Sequence, residues 1–131
     1  MATTRRTQAE RSDATTERLL QAAVSAMVDL GYRGATTTEI AKRAAVSRGA
    51  MLHHFSNRAA LFSTTADWLI DRHVRRFQSA LDEVGDGDDR LKVAIDVLWE
   101  IVSSPVHVAW MEFAAAAHHE PELAATITMA G

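Results

Sequence analysis

Cysteine is absent from the 131 residues. That excludes a disulfide framework and any thiolate metal centre, and it fits a reducing cytosol, so a cytoplasmic protein is expected. Proline occurs only at Pro105 and Pro121, and there are six glycines. Punctuation this sparse disfavours many short strands. No window sustains the period-two alternation of a half-buried strand, so the fold is expected to be all-α. No apolar run reaches the roughly 18 residues a membrane-spanning helix needs. The polar N-terminus lacks the apolar stretch of a signal peptide, so no leader is expected. Catalytic constellations are missing too. Asp67, Asp71 and Glu112 stand isolated on helical faces, and no glycine-rich loop could cradle a phosphate. Neither an enzyme nor a cofactor is expected.

Apolar residues make up 47% of the chain, enough to bury a core. The net charge of −3 hides an asymmetry. Residues 1–58 hold nine Lys/Arg against five Asp/Glu, and residues 59–131 hold five against twelve. A basic front and an acidic rear suit a nucleic-acid-contacting head on a non-contacting body.

Three regions are expected: a flexible basic arm over 1–11, a reading head over 12–58 and a helical regulatory body over 59–131. Arg5, Arg6 and Arg11 give the arm its charge. The first helix is expected from Ser12 or Asp13, both good caps, with an apolar stripe of Leu19, Ala22, Ala23, Ala26, Met27 and Leu30 that ends at Gly31. Thr36-x-x-Glu39 reads as a capping box that opens a second helix, in which Ile40, Ala41 and Ala44 face inward and Lys42 and Arg43 stay solvated. Ser47 caps a third helix whose first turn, Arg48-Gly49-Ala50, is small enough for close backbone approach to DNA. Met51 and Phe55 face inward there, leaving Arg48, Leu52 and His53 outward. Two short helices joined by a tight turn over Thr36–Phe55 make a helix-turn-helix, whose second helix enters the major groove. Asn57 caps a fourth helix that runs to Gly85-Asp86-Gly87, about 40 Å at 1.5 Å per residue. A fifth starts at Asp88 or Asp89 with Leu91, Ile95, Leu98, Trp99 and Val102 inward. Ser104-Pro105 opens a sixth and Glu120-Pro121 a seventh.

In its order of residues the chain resembles the TetR family of bacterial transcriptional repressors. The resemblance rests on Ala22-Ala23 with Gly31-Tyr32; on Thr36-Thr37, Ile40-Ala41, Ala44 and Val46-Ser47; on Arg48-Gly49-Ala50 with His53-His54-Phe55; and on Asn57-Arg58 with Leu61. It is specific over residues 12–62 and beyond that concerns only helix order and length. It implies that Thr36 binds a phosphate as well as capping its helix. It further implies that Thr38, Ser47, Arg48, Ala50 and His53 line the groove side, and that Arg58 takes the place of a phosphate-binding lysine. Thr37, Lys42, Gly49 and Leu52 complete the candidate DNA-facing set. Arg48 is the best candidate for a base contact, because arginine pairs bidentately with guanine O6 and N7. Two positions depart from the family pattern: Leu52 replaces a tyrosine that touches the DNA backbone, and Ala45 replaces a turn glycine, which implies strain if φ is positive there. Family members are also longer, with two further C-terminal helices that build a dimer interface, so the body is expected to be incomplete. A homodimer, though expected of the family, is in doubt for so short a chain.

His53-His54 and His118-His119 are adjacent pairs, pointing about 100° apart on a helix, and they make poor metal ligand sets. Trp99, His107, Trp110, Met111 and Phe113 form a tentative effector-binding set, weighed evenly against plain core. The reading that follows is a sequence-specific regulator of double-stranded, palindromic DNA: a repressor released by a small hydrophobic effector. The alternative is a truncated interaction module that pairs with a full-length relative and does not itself bind DNA specifically.

Overall fold

A computed structural model of the chain describes residues 7–87 and 89–119. Six helices follow in order: α1 (Gln8–Gly34), α2 (Thr37–Ala44), α3 (Arg48–His54), α4 (Arg58–Val84), α5 (Arg90–Val102) and α6 (Pro105–Ala117). Among the described residues there is no strand, and no single helix is long and apolar enough to cross a membrane.

Side-chain caps set most of the helix starts. Asn57 accepts from the Ala60 amide at 2.8 Å to open α4. Ser104 accepts from the His107 amide at 3.2 Å, with Pro105 in the first turn, to open α6. The start of α1 differs from the expectation at Ser12 or Asp13. Thr7-x-x-Glu10 is itself a complete capping box: the Thr7 hydroxyl accepts from the Glu10 amide at 3.2 Å, and the Glu10 carboxylate accepts from the Thr7 amide at 2.8 Å. Arg11 therefore belongs to α1 and not to an arm. Arg5, Arg6 and the seventh helix expected at Glu120-Pro121 lie outside the described residues.

Gly31 breaks α1 at a φ of 70°, and a further short turn carries the chain through Tyr32 to Gly34. The core lies where α1, α2, α3 and the first half of α4 meet. Leu19, Ala23, Ala26, Ile40, Met51, Leu61 and Phe62 are all buried there. α6 joins the same core through Ala109, Phe113 and Ala117. Tyr32, Phe62 and Phe113 form an aromatic triangle with ring centroids 5.7–6.1 Å apart, and Trp110 lies 5.5 Å from Phe113. Offset and tilted packing of this kind suits aromatic quadrupoles.

α5 departs from its expected packing. Only Val97 is buried, whereas Leu91, Ile95, Leu98, Trp99 and Val102 are exposed, Trp99 at 70%. The apolar arc of α5 is wider than the strip that its two neighbours, α4 and α6, can cover.

Candidate nucleic-acid interface

The candidate interface is built by α2, a left-handed turn and α3, clamped from behind by α1. Thr36 caps α2, its hydroxyl accepting from the Glu39 amide at 3.2 Å. The reciprocal half of the expected box does not form, because the Thr36 amide donates to the Gly34 carbonyl at 2.9 Å. Glu39 turns instead to Arg43, 3.1 Å away, one helical turn on. Arg43 also reaches Asp29 of α1 at 2.6 Å and the Ser25 hydroxyl at 3.0 Å. The expectation that Arg43 stays solvated therefore fails: it is the ionic brace between α2 and α1. Lys42 remains exposed beside it.

The turn passes through Ala45 at φ 54° and ψ 43°, the one non-glycine with positive φ among the described residues. Arg18 of α1 holds this turn. Its guanidinium donates to the Ala44 carbonyl through Nε and Nη2 at 3.1 and 2.8 Å, and to the Ala45 carbonyl at 3.2 Å. These are carbonyls at the C-terminal end of α2, where a cation also meets the negative end of the helix dipole. Sequence reading missed Arg18. Its only signal was a basic residue one position before the apolar stripe of α1, which a surface residue would show equally.

Ser47 caps α3, accepting from the Ala50 amide at 3.1 Å. Met51 and Phe55 are buried, as their spacing required. That orientation leaves Ser47, Arg48, Gly49, Ala50, Leu52 and His53 exposed together, with Thr36 and Thr38 exposed at the start of α2 and Thr37 half-buried between them. A Cβ on Gly49 would meet nothing within 4 Å, so the first turn of α3 is open to an approaching surface. His54 turns back to α1, its Nδ1 3.4 Å from the Thr16 hydroxyl.

Arg58 departs from its expected place. It stacks over the Tyr32 ring, its guanidinium carbon 4.0 Å from the centroid, and lies 5.2 Å from the Phe62 ring. Its Nη2 donates to the Tyr32 carbonyl, and its Nε is buried. The side chain is folded against the aromatic cluster and not presented at the start of α4. Arginine suits this site because its planar, weakly hydrated cation stacks on rings.

The family model "Bacterial regulatory proteins, tetR family" matches residues 19–65, from the α1 stripe through the first two turns of α4. The matched stretch belongs to that family. Over 122 residues it is 30% identical to an uncharacterized HTH-type transcriptional regulator of Mycobacterium tuberculosis, covering 93% of this chain and 63% of that protein. Over 123 residues it is 31% identical to the HTH-type transcriptional regulator CymR of Pseudomonas putida, covering 94% of this chain and 61% of that one. A crystal structure of a TetR-family regulator from Mesorhizobium loti superposes with a TM-score of 0.79 at 21% identity, over 92% of this chain and 62% of that one. That likeness concerns the fold. The chain thus spans about three-fifths of the length of these relatives, which are regulators and not enzymes.

The tentative effector-binding residues fall in different environments. Trp99 and Met111 are exposed, Phe113 is 1% exposed within the aromatic core, and Trp110 packs against that core. His107 is half-buried and lies in the electrostatic reach of His73 on α4. None of the five lines either of two cavities that lie between α1 and α6. The expectation treated all the aromatics of α5 and α6 as one inward set. α5 turns its own aromatic out, and α6 spends its aromatics on the core of the head.

Proposed function

We propose that this chain reads duplex DNA as part of a transcriptional regulator, a repressor released by a small effector. The observation that carries the reading is the exposed first turn of α3. Arg48, Gly49 and Ala50 stand outward on a helix whose opposite side, Met51 and Phe55, is locked in the core. A helix held in this way offers its N-terminal side chains to base edges, while exposed Thr36, Thr38, Ser47 and Lys42 around it suit phosphate oxygens. Residues 12–58 act as the reading head and the later helices as the regulatory body, in the cytoplasm. A homodimer reads the two halves of a palindromic operator.

The test is a salt titration of binding to duplex DNA. Affinity should fall steeply as salt rises, because each neutralised phosphate releases counterions. Arg48→Ala should flatten the preference between sequences, and Lys42→Ala should weaken all sequences alike. No duplex binding at low salt would sink the proposal. The second reading, an interaction module that pairs with a full-length relative, draws on the exposed apolar face of α5. Sedimentation separates the two: a clean monomer that shifts no DNA favours the module.

A further inference from the structure

α1, α4 and the start of α6 together line one cleft. This cleft has a volume of about 380 Å³. Val28 of α1, Trp68 and Leu69 of α4 and Val106 of α6 form its apolar walls, and Arg72 and His73 form its polar end. We propose that this cleft binds a small amphipathic carboxylate, its acid group on Arg72 and His73 and its apolar part against Val28, Trp68, Leu69 and Val106.

Charge decides the class of ligand. Arg72 has no ion-pair partner among the described residues, and its guanidinium carbon lies 5.4 Å from the Trp68 ring centroid. The one carboxylate on the wall, Asp29, is already matched by Arg43 at 2.6 Å. The charge left unmatched in the cleft is therefore positive. Burial, then His107, then Arg72 push the His73 imidazole below its ordinary range, so it stands neutral beside a cation. A bound carboxylate would reverse that balance and draw a proton onto His73. The volume is at the small end of ligand pockets, which suits a medium-chain or monocyclic acid.

The site also touches the reading head. Ser25 and Asp29 line the cleft and are the two α1 groups that hold Arg43 of α2. An occupant lies against the brace that fixes the helix-turn-helix. This consequence rests on the proposed regulator function, but the binding itself does not.

Isothermal titration of octanoate into the full chain, with no DNA present, tests the site. Octanol serves as the uncharged control. Saturable one-site binding of octanoate is expected, with octanol markedly weaker. Arg72→Gln, a change at an exposed residue, should weaken octanoate by about tenfold, the scale of one charge-assisted contact. Val106→Phe, which fills the apolar end, should weaken both ligands. Affinity should rise from pH 8 to pH 6 as His73 gains its proton; Arg72, His107 and the Asp29–Arg43 pair are the other charged or titratable groups near it. Absence of saturable binding, equal binding of octanol, an unchanged Arg72→Gln variant or a flat pH profile would each overturn the assignment. Because the titration contains no DNA, loss of the regulator reading leaves its result intact.

Discussion

At the scale of the residue, Ala45 stores strain in the reading head. A left-handed alanine costs about 1–2 kcal/mol relative to right-handed backbone, and glycine escapes that cost at an entropic loss of about 0.5–1 kcal/mol. Ala45→Gly should therefore stabilise the fold by up to about 1 kcal/mol, seen as a rise of a few degrees in Tm on thermal unfolding. A fall in Tm would mean that the turn carries no strain. His73 makes a second claim at this scale. Its folded pKa lies below the ordinary value of 6.5, through burial first and then His107 and Arg72. As pH falls through that ordinary value the unfolded chain takes up the proton before the folded one does, so stability drops with falling pH down to the lower, folded value. Urea unfolding at pH 8 and pH 5.5 should show this loss, and His73→Gln should reduce it.

At the scale of the element, α2 and α3 are short helices of eight and seven residues. Helices of that length do not hold in water on propensity alone and need tertiary anchors. Two arginines supply them: Arg43 ties α2 to α1, and Arg18 ties the turn to α1. Arg18→Ala removes three hydrogen bonds to two carbonyls and should cost about 1–2 kcal/mol. Amide exchange should quicken most in the turn and at the start of α3. Uniform quickening over the whole chain would show instead that Arg18 acts on global stability alone.

These anchors also mark how far the sequence could be read. The caps at Thr36, Ser47, Asn57 and Ser104, the inward Met51 and Phe55 and the outward Arg48 follow from local spacing, and the structure places each as expected. Arg18, Arg43 and Arg58 could not be placed that way. A basic side chain at the edge of a stripe looks the same whether it meets water, phosphate or a carbonyl 26 positions away. α5 failed for a related reason. Its period announces an apolar face but not whether a neighbour exists to cover it.

At the scale of the whole molecule, the basic head and the acidic rear are joined at one point more directly than by the chain itself. The Glu112 carboxylate of α6 accepts from the Tyr32 amide at 3.0 Å, just past the break in α1, and the Tyr32 carbonyl accepts from Arg58 at the start of α4. Three helices therefore meet on one residue. Gly31 is what admits Glu112. A Cβ there would stand 2.8 Å from the carboxylate oxygen, on a backbone whose φ of +70° already disfavours a side chain. Gly31→Ala should cost about 2–3 kcal/mol, part from the left-handed backbone and part from a lost charge-assisted hydrogen bond. Glu112→Ala should cost about 1 kcal/mol, since the carboxylate is partly exposed, while Glu112→Gln keeps an acceptor and should cost less. The two sites share one contact, so their effects should not add. In a Glu112→Ala background, Gly31→Ala should cost less than it does alone, by about the value of the lost bond. Denaturant unfolding of the four proteins in this cycle measures that coupling. Strict additivity would mean that the link between α6 and α1 carries no free energy, and the head and body would then communicate only through the packed aromatic rings.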